Sequence, residues 1–252
     1  LVGFVDIIKN KYAWTIIVSE FLKSFRGIST FMEAFIAAAV LGDISKKILF
    51  VLPVGIGTAV GMLVVNFLLK KFDARQLYIA SGIYSLIANS IAFAVGVQYF
   101  KTGNAVLQIV FIATLFLIGL QFGASNLLPS MFQADVLEDM EVKTGKRLDA
   151  SLPFVISIGT LISGTIASAL APQVLYGEGS IIQYIQPTDA IPNPEQSLKS
   201  KIFLLFFYTI VHGIMMFLAG VPFFFYKLTG KTKEDVHNKV LELRAKTESK
   251  QK

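Results

Sequence analysis

The chain has 252 residues, of which 54% are hydrophobic, 12% aromatic and only 16% charged, whereas a soluble domain carries about a quarter charged residues. Its mean hydropathy of +0.64 excludes a soluble catalytic domain, and the absence of cysteine excludes disulfides, thiolate metal sites and cysteine nucleophiles. The net charge of +6 follows the pattern of a membrane topology signal and suits anionic headgroups, so nucleic acid is excluded as a partner.

The chain opens at Leu1 with no cleavable signal pattern, since its first apolar run is too long and carries internal charges; a fragment of a longer protein is expected. A bilayer-spanning helix needs about 20 mostly apolar residues. The runs that satisfy this are Tyr12–Leu41, Ile48–Leu69, Leu77–Val97, Ala105–Leu128, Leu152–Leu175 and Ile202–Tyr226. They are continuous rather than alternating, which argues against a barrel. An all-α membrane protein is expected: a six-helix bundle over residues 1–226 and a tail over 227–252.

Six spans put both ends on one side. Sixteen Lys and Arg fall on that side against five on the other, with Lys23 and Arg26 inside a span, so both termini are expected in the cytoplasm, in a cell (inner) membrane. Of the connections, Pro129–Ala150 reads as a charged inner loop, and Pro172–Ser200 as a long outer loop with Pro187, Pro192 and Pro194. In the tail, Thr232–Lys246 reads as a short solvated amphipathic helix. Thr232 is its N-cap, and Val236, Val240 and Leu243 share a face.

An ionisable side chain near the bilayer centre costs about 2.5 to 3.5 kcal/mol, and the first span holds four. At 100° per residue Ser19, Lys23, Arg26, Thr30 and Glu33 share an arc of about 80°, with Glu20 just outside it. Two readings fit this stripe. Local ion pairs, Glu20 with Lys23 and Arg26 with Glu33, would hold the helix to its neighbours; alternatively the stripe lines a solute path. In the third span Ser81, Ser85 and Asn89 read as interhelical glue. In the fourth, Gln121 and Ser125 share a face with Thr114, and Gly119 and Gly123 form a G-x-x-x-G for close packing. Ser157, Thr160, Gly164 and Ser168 make a small-residue packing face in the fifth. His212 reads as a packing histidine, or with Glu20 as part of a proton relay.

No arrangement of an enzyme emerges, and no metal or other cofactor is expected. The nearest candidate, the acidic cluster Asp135, Glu138, Asp139 and Glu141, lacks the paired, glycine-punctuated aspartates of headgroup phosphotransfer sites.

The run Met131-Phe132-Gln133-Ala134-Asp135-Val136-Leu137-Glu138-Asp139, followed by Lys143-Thr144-Gly145-Lys146-Arg147 and Asp149, resembles the loop between helices ten and eleven of the glycoside-pentoside-hexuronide:cation symporters. These are the melibiose permease group of the major facilitator superfamily. The ending Tyr226-Lys227-Leu228-Thr229 and the opening Ile8-Lys9-Asn10-Lys11, before a span with Arg26-Gly27, are similar to the same family. The resemblance implies the C-terminal bundle of such a fold, helices seven to twelve, partnered by an amino-terminal six-helix half. It implies alternating-access symport of a sugar-like solute, a glycoside or hexuronide, with H+ or Na+ as coupling ion. It also implies a cytoplasmic gate made by Asp135, Glu138, Asp139 and Arg147. Lys23, Arg26, Gln121 and Ser125 are the candidate solute contacts. Where melibiose permease carries a cation-coupling lysine in helix eleven, this chain has Leu161, while its buried cations favour a solute with a carboxylate. The rival expectation is a non-transporting six-helix scaffold or receptor.

Overall fold

Residues 2–146, 148–176, 179–188, 191 and 194–251 are described by a computed structural model. Arg147, one of the expected gate residues, lies outside them. A short helix α1 (Val2–Lys9) precedes α2 (Lys11–Ser24) and α3 (Gly27–Leu41), which together form the first span. Asn10 starts α2 by accepting from the N–H groups of Tyr12 and Ala13. The second and third spans are α4 (Ile48–Leu68) and α5 (Ala74–Thr102), the latter opened by a capping box of Asp73 and Gln76. Next come α6 (Ala105–Thr144) and α7 (Ser151–Leu175). The sixth span is α8 (Leu198–Tyr208) and α9 (Ile210–Gly220) with a 3-10 turn, Val221–Phe225, and the tail is α10 (Gly230–Gln251). The six spans are long and apolar enough to cross a membrane, and the described residues contain no strand.

The structure departs from the sequence reading in three places. Pro129–Ala150 is not a loop: α6 runs on to Thr144 and ends where Gly145 takes φ +67. Lost apolarity there marks the exit from lipid, and the helix persists because it packs against α1 and α10. The first span breaks at Phe25 and Arg26, and the sixth at Thr209. The tail helix is not merely solvated, since Val240 is fully buried and α10 lies against α6.

Two apolar clusters hold the bundle. At the end carrying both termini, Tyr12, Tyr78, Phe132, Phe223 and Tyr226 stack, with Phe132 and Phe223 centroids 4.4 Å apart. At the other end Phe50, Phe111, Leu115, Leu204 and Tyr208 pack with Met32 and Ile36. A belt of buried polar residues, Ser19, Glu20, Asn89, Ser125 and His212 among them, separates the two.

The α4–α6 crossing is the tightest contact. Gly57 and Gly61 on α4 face Gly119 and Gly123 on α6, and a Cβ on Gly119 would sit 3.0 Å from the Gly57 Cα. Two G-x-x-x-G faces therefore meet backbone to backbone.

Candidate functional site

The break in the first span sets the geometry of the polar belt. The N–H groups of Phe25, Arg26 and Ile28 donate to the carbonyls of Leu22, Lys23 and Phe25 at 3.2, 3.1 and 3.2 Å. These are i→i+3 bonds, a 3-10 turn interrupting the α-helix in mid-span, where such turns often mark hinges. Gly27, just past it, lets α7 come close: a Cβ there would lie 3.4 Å from the Cβ of Ala167.

A second interruption faces the first. Pro129 has no N–H to give to the carbonyl four residues back, which is that of Ser125. Lys23 Nζ donates to that oxygen at 3.4 Å and to Glu20 at 2.6 Å. One turn deeper, the Arg26 guanidinium lies 4.8 Å from the centroid of the Phe122 ring, and Phe122 meets His212 edge-on at 5.2 Å. Phe122 thus joins the cation to the histidine. No sequence signal distinguished it from the many lipid-facing phenylalanines.

Lys23, Arg26 and Ser125 therefore come together along one seam between α2 and α6, though Ser125 contributes its carbonyl; its hydroxyl donates to the Phe122 carbonyl. Gln121 is directed elsewhere. It lines an apolar cavity of about 270 Å³ with Gly61, Tyr84 and Leu120, between α4, α5 and α6. It is only 2% exposed, and both ends of its amide lack a partner among the described residues.

Of the two expected ion pairs, Glu20–Lys23 forms and Arg26–Glu33 does not. Glu33 instead pairs with Lys47 at 3.2 Å, on the 3-10 turn that leads into α4. Arg26 has no ion-pair partner among the described residues. Ser19 donates to the Ala219 carbonyl at 2.7 Å, fastening α2 to α9. The stripe is thus structural at one end and open around Arg26.

His212 is no satisfied packing residue. It is 5% exposed and its Nε2 has no partner among the described residues. No hydrogen bond joins it to Glu20 among the described residues, so a direct relay between them is not formed. The third-span amides also differ from expectation: Asn89 Nδ2 donates to the Ser85 carbonyl within α5, at 2.8 Å, rather than between helices. On α7, Ser157 and Ser168 are exposed and a Cβ on Gly164 would meet nothing. That small-residue face is unpacked within this bundle, and Leu161 is 70% exposed. The buried side of α7 runs instead through Ile156, Ser163, Ala167 and Ala171.

The acidic cluster is engaged by this chain's own termini. Asp135 pairs with Lys233 at 2.8 Å, Glu138 with His237 at 3.1 Å and Glu141 with Arg244 at 2.6 Å. Asp139 accepts from Asn10 and Lys143. The spacing of three along α6 places Asp135, Glu138 and Glu141 along one flank, which α10 follows in parallel. Glu141 holds the Arg244 guanidinium above its usual value by hydrogen bonding.

Six apolar spans, an arginine beside a mid-membrane helix break, and faces left unpacked within the bundle define a multi-pass membrane protein of the carrier type. The sequence model of the family described as MFS/sugar transport protein matches residues 2–230, and the chain belongs to that family. No curated protein and no solved structure matches it significantly.

Proposed function

We propose that the chain is the carboxy-terminal half of an alternating-access symporter for a sugar bearing a carboxylate, such as a hexuronide, with both ends in the cytoplasm. The observation that carries this reading is Arg26: half-buried at the hinge turn, held over Phe122, and without an ion-pair partner among the described residues. A guanidinium at mid-membrane depth costs several kcal/mol unless neutralised. Its planar fork matches a carboxylate bidentately. Lys23, tethered by Glu20 and the Ser125 carbonyl, adds a point charge one turn away.

The amino-terminal six-helix half would close the other wall, and rocking of the two halves would expose the site to each side in turn. The open small-residue face of α7 suits such a moving or water-lined surface. The coupling ion would be H+ or Na+. Glu20, already bound to Lys23, and His212, with an unpartnered nitrogen behind Phe122, are the groups on this half closest to the path. Asp135 and Glu138 would act on the cytoplasmic gate through the tail that grips them, and Asp139 through Asn10 and Lys143.

Uptake and equilibrium binding by the full-length protein, with matched glucuronides and neutral glycosides, test this. Arg26→Lys should weaken binding of the uronide by about tenfold or more, the loss of one charge-assisted bidentate contact, and leave neutral glycosides unaffected. Lys23→Arg should be milder. Wild-type uronide binding in Arg26→Lys, or a preference for uncharged sugars, would refute the anion role and leave the seam as an ion-pair contact between helices.

A further inference from the structure

Helix α1 is the part of the molecule that the transport reading does not use. Gly3 and Ile7 form its inner stripe. Ile7 is fully buried, and a Cβ on Gly3 would lie 2.8 Å from the Leu148 side chain, so α1 is pressed onto the α6–α7 connection. The opposite stripe is apolar and uncovered: Phe4, Val5 and Ile8, together with Trp14 at the start of α2, are 40–48% exposed. Lys9 and Asp6 occupy the remaining arc. Trp14 Nε1 donates to the Ile8 carbonyl at 2.8 Å, so the indole is anchored beside α1.

A helix with one face on the protein, one apolar face open and one charged face has the form of an element lying in the membrane interface. An indole at such a boundary is at home there. Beside α1, on one flank, is a cavity of about 280 Å³ lined by Asp6, Lys9, Asn10, Lys11, Met140 and Lys143. Lys11 and Lys143 both lie over the Tyr12 ring, with nitrogens 5.0 and 5.5 Å from its centroid. Two carboxylates oppose an anion there, against three lysines: Asp139, which accepts from Asn10 and Lys143, and Asp6 in the cavity lining. Next to the start of α1 is an apolar cleft of about 600 Å³ between Phe4 and Phe154.

We propose that α1 and this lysine cavity form a binding site for an anionic phospholipid. Its phosphate would be held by Lys9, Lys11 and Lys143, and its acyl chain would lie against the exposed stripe of α1 at Val5 and Ile8. Charge complementarity selects an anionic headgroup over a zwitterionic one, and the uncovered apolar stripe of α1 selects a lipid over a free phosphate. A basic pocket between transmembrane helices, with apolar surface beside it, is the form such sites take.

Trp14 is the only tryptophan in the chain and sits beside the site, which makes it the probe. The full-length protein is placed in nanodiscs of phosphatidylcholine doped with dibrominated phosphatidylglycerol or dibrominated phosphatidylcholine. Quenching is taken as the difference from Trp14→Phe. Each lysine near an anionic surface strengthens attraction about fivefold, so brominated phosphatidylglycerol should reach half-quenching at a several-fold lower mole fraction. In Lys9→Gln/Lys11→Gln the two curves should coincide, with the thermal melting point unchanged. Free phosphate at millimolar concentration should not compete. Equal quenching by both lipids in the wild type, or a preference that survives the double substitution, would overturn the headgroup site. No quenching by either would overturn the interfacial placement of α1, and competition by phosphate would make it a site for a soluble anion.

Discussion

Replacing Gly123 by alanine adds one methyl at the α4–α6 crossing, where there is no room for it. The new Cβ would lie 2.6 Å from the Gly61 Cα and closer still to the next backbone atoms, whereas ordinary contact begins at 3.4 Å. Both neighbours are helix backbone and cannot swing aside. The two helices must therefore part by about 1 Å, and a gap of that size forfeits a quarter to a half of each dispersion contact along the crossing. Overpacking of this kind costs about 1 to 3 kcal/mol, which lowers the melting point by a few degrees. The assay is thermal unfolding of the purified full-length protein in detergent. Gly164→Ala serves as control, because a Cβ there meets nothing within 4 Å. Gly61→Ala combined with Gly123→Ala should cost less than the sum of the two, since either alone already separates the helices. Wild-type melting of Gly123→Ala, or an equal loss in Gly164→Ala, would show that the backbone contact does not hold the bundle.

Three further outcomes are expected. Cysteines placed at Lys146 and Glu195, both exposed, should react from opposite sides of sealed cells with an impermeant maleimide, and labelling of both from outside would invert or abolish the assigned topology. Lys233→Glu with Arg244→Glu sets like charges against Asp135 and Glu141, so α10 should be cut by trypsin at its remaining lysines several-fold faster; an unchanged rate would mean that Val240 and its neighbours hold the tail without the ion pairs. Glu20→Gln should weaken transport by freeing Lys23 from its 2.6 Å partner, and uptake at the wild-type rate would show that neither this ion pair nor a proton on Glu20 is needed.

The spans were legible because hydropathy over some 20 residues is a strong one-dimensional signal, and because Gly119 and Gly123 repeat at the spacing of a helix face. Lys23 and Arg26 were legible for the opposite reason, being expensive where they stand. What escaped was non-local. Nothing in the sequence near Glu33 indicates that its partner is Lys47, nor near Asp135 that it is Lys233. The carbonyl of Ser125 was hidden for a different reason: its availability comes from Pro129, and a proline at the edge of an apolar run reads first as the start of a loop. Gln121 shows the limit of a helical wheel, which groups residues by angle but cannot say which neighbour each angle will meet.

Helix α6 has 40 residues, about 60 Å at 1.5 Å per residue, against a hydrocarbon core of about 30 Å. Its closest contact is the glycine crossing with α4, and Pro129 omits one backbone hydrogen bond between that crossing and Glu141. Phe122 and Ser125 sit almost on the crossing, while Glu141 lies 18 residues out, about 27 Å away. A rotation of about 5°, hardly visible at the arginine, sweeps Glu141 through about 2 Å, enough to part it from Arg244 at 2.6 Å. A pivot of α6 at that crossing would therefore be felt far more at the Glu141–Arg244 pair than around Arg26.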